Sequence, residues 1–278
     1  MDFLAVAVSI AALTAILLLI YMYMETRTLD ISHVDFSKGE SNLKILHITD
    51  VHIHSMNVPY SRIIDAVKAE KPDIIILTGD YSGKTGYMQR FDGFLNSFTS
   101  ASIQAGTKKI FACMGNHDHK ISADRSESVK DFIRILRSYG IEVLVNKTSV
   151  YSKNNKIYNI TGIDDLRYGK PDIGKSFTGQ DARSQANIVI SHNPDIALLL
   201  PSGKADFLFA GHLHGGQVWL PFNLEFILLR SEILPFKGIR QGTHIINGIT
   251  VYINRGLGNV LLPLRFLAKP EISVYTMP

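Results

Sequence analysis

Side chains of the types that can bind metal ions occur at five places along the chain, each directly after a short apolar run. Such a run, ended by a polar turn, is typical of a buried strand, so each group is expected at a strand's carboxyl end. Carboxylates, imidazoles and amide oxygens are ligands that suit Mn, Fe, Zn or Mg. In chain order the groups are Asp50 with His52, Asp80, Asn116 with His117, His192, and His212 with His214. We therefore predict one metal centre assembled from several strand ends.

The spacing within these groups indicates two adjacent ions. One residue separates Asp50 from His52 and His212 from His214, and on an extended strand end each pair would lie on one face. Asp80 follows a glycine, so a tight turn can bring its carboxylate close to two ions. Two ions about 3.5–4 Å apart can hold the attacking and leaving oxygens of a phosphoryl displacement. Taken singly, each group is equally typical of a polar turn, and it is their joint occurrence that predicts a phosphoryl-transfer site.

The elements that must position these groups alternate between strands and helices in the first half of the main domain. Strands are predicted at residues 43–49, 73–77 and 110–114, and apolar residues with helical spacing follow each of them. The pattern then changes to a predicted hairpin around Asn154 and Asn155. Further strands are predicted at residues 187–190, 206–209, 250–253 and 272–275. This order predicts an α/β fold with a mixed sheet.

Residues 3–24 contain no charged side chain, and a run of about 22 residues is long enough for one transmembrane helix. No basic segment precedes the run and aromatic residues lie at its far end, at Tyr21 and Tyr23, which favours an uncleaved anchor over a cleaved signal peptide. Residues 25–40 are predicted to form a polar linker and residues 41–278 the main domain. The chain is therefore expected to be a single-pass membrane protein.

The charge distribution bears on topology and partners. Arg27, Lys38 and Lys44 follow the predicted span and no basic residue precedes it, which favours a cytoplasmic main domain. The net charge of +4 suits a phosphate-bearing partner or an anionic membrane surface. No basic run with interleaved aromatic residues is present, so nucleic acid is not an expected partner, and no obligate protein partner is inferred. The single cysteine, Cys113, excludes an internal disulfide.

The ligand groups resemble the motif set of the calcineurin-like metallophosphoesterases. The matching motifs are Asp50-x-His52, Gly79-Asp80, Gly115-Asn116-His117-Asp118, His192 and Gly211-His212-x-His214, within residues 43 to about 216. Further matches at residues 191–195, 211–217, 254–258 and 270–272 resemble a membrane-associated bacterial branch that includes UDP-2,3-diacylglucosamine pyrophosphatases. The resemblance implies a four-layer α/β/β/α sandwich with the site at the strands' carboxyl ends.

The resemblance also implies a role for each site residue. The ions would be divalent, with Mn²⁺ favoured and Fe, Zn or Mg as alternatives. A hydroxide shared by them would attack phosphorus, while His117 would face the leaving oxygen as a proton donor or charge stabiliser. Asp118 is a candidate for orienting His117. The first ion would be held by Asp50, His52 and His214, the second by Asn116, His192 and His212, and Asp80 would bridge the two.

One feature departs from the family pattern. Many relatives have an acidic residue three positions beyond the bridging aspartate, often followed by an arginine, and this acid can pair with the catalytic histidine. Residues 79–83 read Gly-Asp-Tyr-Ser-Gly and continue with neither. Support for His117 and an arginine that binds phosphate must therefore come from elsewhere. Arg167 and Arg255 are candidates, and each is equally typical of a surface ion pair.

Two apolar stretches follow the last ligand group, at residues 219–236 and 260–267. They are typical either of core or lid packing or of an apolar, membrane-facing groove that receives acyl chains. The predicted anchor favours the groove because it would hold the site at the bilayer. We therefore predict hydrolysis of a lipid-linked phosphodiester or pyrophosphate, such as UDP-2,3-diacylglucosamine. The alternatives are an enzyme of soluble nucleotides or other phosphoesters, and a non-catalytic membrane-bound scaffold, against which the intact ligand set argues.

Overall fold

Two six-stranded sheets form the centre of the molecule in the part of the chain that the structure describes. The computed structural model describes residues 3–40, 42–82, 85–120, 125–220, 222, 224–229 and 232–278. The first sheet contains, in spatial order, β1 (Asp30–Asp35), β12 (Glu271–Met277), β2 (Leu43–Ile48), β3 (Ile74–Thr78), β4 (Lys109–Cys113) and β5 (Glu142–Val143). The second contains β10 (Gly242–Ile246), β11 (Ile249–Ile253), β9 (Phe207–Ala210), β8 (Ala186–Ile190), β7 (Lys156–Gly162) and β6 (Lys147–Lys153).

Helices cover the outer faces of both sheets, except for the first helix, whose apolar side chains are largely exposed. The longer ones are α1 (Phe3–Glu25), α2 (Tyr60–Glu70), α3 (Met88–Gln104) and α4 (Arg125–Ser138), and the short ones are α5 (Ile173–Ser176), α6 (Leu224–Leu229) and α7 (Ile233–Phe236). Apolar residues of α2, α3 and α4 pack on the first sheet, and those of α6 and α7 pack on the second. A third apolar cluster, which includes Ile76, Phe111, Ile188 and Phe209, joins the inner faces of the two sheets. The predicted four-layer α/β/β/α sandwich is confirmed.

The order of parallel strands gathers the metal-ligand candidates at one edge. β2, β3 and β4 are mutually parallel, with Ile48 opposite Leu77 and Thr78 opposite Cys113. In the second sheet β7, β8, β9 and β11 are also parallel. Strands that run parallel end at the same side of a sheet, and an open α/β sheet binds ligands outside those ends.

Residues 25–40 differ from the prediction of a linker. β1 lies within them and pairs in parallel with β12, with Asp30 opposite Glu271 and Asp35 opposite Thr276. Its sequence, Asp-Ile-Ser-His-Val-Asp, has only two apolar residues and no regular alternation. It is an edge strand, and its hydrogen-bonding partner is the last strand of the chain. Local sequence therefore did not reveal it. Ser41, the predicted first residue of the domain, lies outside the described residues.

The predicted hairpin is confirmed, and a helix occupies the predicted apolar run. The hairpin around Asn154 and Asn155 joins β6 to β7, and both asparagines have a positive φ, of 50° and 62°. Asparagine adopts this left-handed conformation more readily than most residues, and a two-residue turn of this kind matches the twist of the strands. α1 is long and apolar enough to cross a membrane, and its apolar side chains are largely exposed.

Candidate metal centre

The predicted ligands all follow strands and lie together. Asp50 and His52 come after β2, Asp80 after β3, Asn116 after β4, His192 after β8, and His212 and His214 after β9. Each of the seven side chains is buried, with at most 4% of its surface exposed. His117, the predicted catalytic residue, is half-buried.

The backbone brings the paired ligands together by turns. Five of the ligand residues have φ between 38° and 71°, namely Asp50, His52, Asp80, His212 and His214. The expectation that each Asp-x-His or His-x-His pair lies on one face of an extended strand end was therefore wrong. Left-handed backbone is costly for residues other than glycine and is found at functional sites where the surrounding structure enforces it. Here the turns re-aim the side chains toward a common centre.

One group of ligand atoms surrounds Asp50. Its Oδ1 lies 3.1 Å from His214 Nε2 and 3.9 Å from His52 Nε2. His52 Nε2 in turn lies 3.4 Å from Asp80 Oδ2. These atoms fit one metal site, and they are the ones assigned to the first ion by the family resemblance.

A second group surrounds His192. Its Nε2 lies 3.0 Å from Asn116 Oδ1, 3.1 Å from His212 Nδ1 and 3.2 Å from Asp80 Oδ2. Asp80 Oδ2 is therefore close to atoms of both groups, as a bridging ligand must be. The structure thus brings all seven predicted metal ligands into two groups that share Asp80.

The buried polar atoms test whether divalent ions fit these groups. Asp50 Oδ1 and both ring nitrogens of His52 are buried without a hydrogen-bond partner. Leaving such atoms unpaired costs free energy, and acceptor atoms that converge without a donor repel one another. A divalent cation removes both costs, so the residues fit a pair of metal ions.

Electrostatics favours the charged form of Asp80, the predicted bridging residue. Burial opposes ionisation of Asp80, but the neighbouring His192, His52 and His117 rings outweigh it and hold its pKa below the usual range. Burial likewise holds the pKa of His52 well below its ordinary value. A charged carboxylate and a neutral imidazole are the forms that bind metal.

Hydrogen bonds on the remote ring nitrogens select the ligand atoms. His192 Nδ1 lies 2.8 Å from the carbonyl oxygen of Thr78, to which it donates, leaving Nε2 as the ligand atom. His212 Nε2 lies 2.8 Å from Glu232 Oε1, which leaves Nδ1. Such partners orient metal-binding histidines in proteins generally.

Asp118 connects the turns that carry the ligands. Its carboxylate oxygens accept hydrogen bonds from the backbone N–H groups of Asp80, Tyr81 and Gly115, at 2.8, 2.9 and 2.8 Å. Burial, together with the nearby Asp80, raises the pKa of Asp118 to about 7. The geometry therefore makes Asp118 a structural link between the turn of Asp80 and the turn of Asn116.

His117 lies at the mouth of the centre. Its backbone N–H donates to Asp80 Oδ1 at 2.8 Å, and its ring centroid is 4.9 Å from that of His52. It lines a cavity of about 480 Å³ together with Asp80, Asn116, His212 and His214. A group bound in this cavity reaches His117 and the ligand groups together.

The cavity has an apolar wall and a cationic one. Lys120 and Arg167 lie on its polar side. The apolar side consists of Val218 and of residues from both predicted stretches, namely Leu220, Phe226, Val260, Leu261, Leu262 and Leu264. Residues 221, 223, 230 and 231 of the first stretch lie outside the described residues. The described part of these stretches therefore forms a groove beside the ligands as well as core.

The two candidate arginines have different positions. Arg255 is paired with Glu271, at 2.8 Å, and with Asp30, so it joins β12 to β1. Arg167 lines the cavity and contacts Glu232 at 3.3 Å. Glu232 was missed by sequence reasoning, although an acidic residue inside an apolar stretch, here one of two with Glu225, is a signal that could have found it.

Comparison with known proteins agrees with this geometry. The sequence model of the calcineurin-like phosphoesterase family matches residues 43–216. The chain belongs to this family. The predicted family is confirmed, and with it the prediction of a metal-dependent phosphoester hydrolase.

Curated relatives resemble the chain over most of its length. It is 31% identical to the phosphodiesterase YaeI of Escherichia coli, over 86% of this chain and 83% of that protein. It is 27% identical to the metallophosphoesterase YkoQ of Bacillus subtilis, over 91% and 90%. It is 26% identical to the UDP-2,3-diacylglucosamine pyrophosphatase LpxG of Chlamydia trachomatis, over 84% and 82%.

Proposed function

We propose that this phosphoesterase hydrolyses a lipid-linked phosphodiester or pyrophosphate at a membrane, with two divalent ions. The observation that carries the proposal is the set of apolar residues that lines the cavity beside the metal-ligand groups, because the residues directly after Leu264 contact the end of α1. A soluble nucleotide would need neither an apolar wall nor an anchor. The pyrophosphatase named among the relatives makes UDP-2,3-diacylglucosamine the first substrate to test.

The site residues divide the chemistry among them. Asp50, His52 and His214 would hold one ion, Asn116, His192 and His212 the other, and Asp80 both. Bound ions, with Mn²⁺ favoured, would polarise the phosphoryl group and lower the pKa of water.

The half-buried ring of His117, at the mouth of the centre, would donate a proton to the leaving oxygen or stabilise its charge. The buried ligands behind it exclude bulk water, which strengthens these electrostatic interactions.

The exposed end of the apolar wall suits acyl chains. Leu261 and Leu262 line the cavity and are 85% and 62% exposed. Phe222, two residues after the cavity residue Leu220, is 88% exposed. Burial of apolar area from water contributes roughly 25 cal/mol per Å², so such residues are stabilised by contact with acyl chains. The wall would therefore hold the lipid part of a substrate while its phosphate reaches His117.

The end of α1 contacts residues 265–267, which directly follow the apolar cavity residues 260–264. Arg265 N–H donates to the carbonyl of Met22 at 3.0 Å, Leu267 N–H donates to Glu25 at 3.3 Å, and the Tyr21 ring packs edge-on against Phe266 at 6.1 Å. If α1 spans the bilayer, these contacts hold the apolar wall close to the membrane surface. The basic residues after α1 favour a cytoplasmic position for the catalytic domain.

The proposal is tested with the full-length protein in mixed micelles that contain Mn²⁺ and UDP-2,3-diacylglucosamine. We expect release of UMP, and loss of that release in Asp80→Asn, which removes the charge shared by both ligand groups. Bis(p-nitrophenyl) phosphate serves as a generic reporter. Cleavage of the reporter without UMP release would refute this lipid nucleotide as the substrate. Metal binding with neither activity would favour the scaffold alternative.

A further inference from the structure

Glu232 is a buried carboxylate that contacts both a predicted metal ligand and the arginine of the cavity. Only 4% of its surface is exposed. Its Oε1 atom lies 2.8 Å from Nε2 of His212 and 3.3 Å from Nη1 of Arg167. A buried carboxylate is costly unless it is paired, so a single oxygen placed between an imidazole and a guanidinium is a specific arrangement.

The contact with His212 determines which ring nitrogen can bind metal. A carboxylate that accepts a hydrogen bond from Nε2 fixes the proton there and leaves the lone pair on Nδ1. Nδ1 of His212 is the atom that faces the second ligand group, 3.1 Å from His192 Nε2. Glu232 thus has for His212 the role that the Thr78 carbonyl has for His192.

The contact with Arg167 holds a cation on the cavity wall. The Arg167 side chain is 42% exposed, and its guanidinium lies 5.6 Å from the centroid of the Tyr168 ring. A guanidinium carries five N–H donors, so a bond to Glu232 leaves others for phosphoryl oxygens.

The position of Glu232 is itself fixed. It directly precedes α7, whose first two backbone N–H groups, those of Ile233 and Leu234, donate to Asp195 at 2.5 and 3.0 Å. Asp195 belongs to the helical turn that follows β8 and His192. The carboxylate is therefore held by the same strand end that presents a ligand of the second group.

We propose that Glu232 is a positioning residue that couples the second metal site to a phosphate-binding site at Arg167. It orients His212 toward the ion, and it keeps the Arg167 guanidinium where it binds an oxygen of the phosphoryl group. This inference rests on the proposed function only in that it needs a metal-dependent phosphoesterase. It does not require the substrate to be a lipid.

The test compares three variants of the full-length protein in detergent, after removal of metal by a chelator. Mn²⁺ affinity is measured by titration calorimetry, and inorganic phosphate is used as an inhibitor of bis(p-nitrophenyl) phosphate cleavage. Glu232→Ala should weaken binding of one Mn²⁺ by about 10- to 100-fold, the range for loss of a group that orients a ligand, and should also weaken phosphate inhibition. Arg167→Ala should weaken phosphate inhibition by about tenfold and leave Mn²⁺ affinity within about twofold. Glu232→Gln keeps an acceptor oxygen for His212 and should retain more Mn²⁺ affinity than Glu232→Ala.

Glu225→Gln is the matched control. Glu225 is also buried, with 7% exposure, lies in the first turn of α6 in the same apolar stretch, and also pairs with an arginine, Arg240, at 2.7 Å. Its described ion pair does not involve a metal-ligand candidate, so Mn²⁺ affinity should stay within about twofold of wild type.

Two results would overturn the inference. One is wild-type Mn²⁺ affinity in a folded Glu232→Ala protein, and the other is an equal loss of affinity in Glu225→Gln. Circular dichroism verifies folding. If Glu232→Ala does not fold, the other two variants decide the question: Glu232→Gln should weaken Mn²⁺ binding, whereas Arg167→Ala should weaken phosphate inhibition and leave Mn²⁺ binding unchanged. The readouts use no lipid, so a failure to hydrolyse UDP-2,3-diacylglucosamine refutes the proposed substrate and leaves this test intact.

Discussion

Replacing Gly258 by alanine should damage the metal centre although no predicted ligand residue is substituted. Gly258 lies in the loop after β11, where its N–H donates to the carbonyl of Asp50 at 2.7 Å. A Cβ at this position would lie 2.5 Å from the Cβ of His52 and 2.6 Å from the carbonyl oxygen of Val51. The glycine is therefore required by a close approach to the turn that carries two predicted ligands.

The size of the effect follows from these distances. Ordinary contacts of a Cβ begin at 3.4 Å, so His52 or the loop must move by about the difference between 3.4 and 2.5 Å, close to 1 Å. Metal–ligand distances tolerate only about 0.2 Å. We expect a loss of Mn²⁺ affinity of at least about tenfold, as for removal of a group that orients a ligand. The overpacking should also lower the free energy of unfolding by about 1–3 kcal/mol.

The assay is calorimetric titration of Mn²⁺ into the chelator-treated, full-length protein in detergent. Gly93→Ala is the matched control because Gly93 lies in α3 with nothing within 4 Å of an added Cβ. That variant should bind Mn²⁺ like wild type and gain about 0.5–1 kcal/mol of stability from the lower chain entropy. A folded Gly258→Ala protein with Mn²⁺ affinity within twofold of wild type would refute the close-approach argument.

Two further predictions concern the core and the membrane. Burial lowers the pKa of His47 from 6.5 to about 3. Between these two pH values His47 binds a proton only in the unfolded state, so the free energy of unfolding falls as the pH decreases below 6.5. Between about pH 7.5 and pH 5, the free energy of unfolding of the metal-free wild-type protein should fall by about 2 kcal/mol more than that of His47→Gln, as measured by guanidinium unfolding. An equal fall in the two proteins would contradict this. Leu267→Glu, at a 53% exposed residue beside α1, should slow hydrolysis of the vesicle-bound lipid several-fold but not of the soluble diester. Ile245→Glu, at a 79% exposed residue of β10, should change neither rate, and an equal effect of both substitutions would argue against a membrane-facing wall.

Much of the site was predictable because its information is local. Each ligand group is a polar turn attached to an apolar strand, and both parts are neighbours in the sequence. The types of ligand and their order along the chain therefore predicted a metal centre, and the motifs predicted the family. His47 was predictable as a core residue for the same reason, since it lies inside the pattern of β2.

The geometry of the turns was less accessible. Asp50 with His52, and His212 with His214, converge through left-handed backbone, with φ between 38° and 71°. The extended geometry expected from a spacing of two residues does not occur. Such backbone is unfavourable locally and is enforced by distant contacts, among them the hydrogen bond from the His212 N–H to Asp50 Oδ2 at 2.9 Å. A local sequence pattern cannot predict this hydrogen bond, because its two residues are 162 positions apart.

The sequence by itself determined the strands that carry the ligand groups, the ligand types, the apolar helix and the family, because each depends on residues close together in the chain. Only the tertiary structure decided the rest. It paired β1 with the last strand, placed the apolar stretches beside the metal ligands, and brought Glu232 between His212 and Arg167. These relations join residues that are far apart in sequence, and their free energy comes from burial and pairing that exist only once the two sheets have packed.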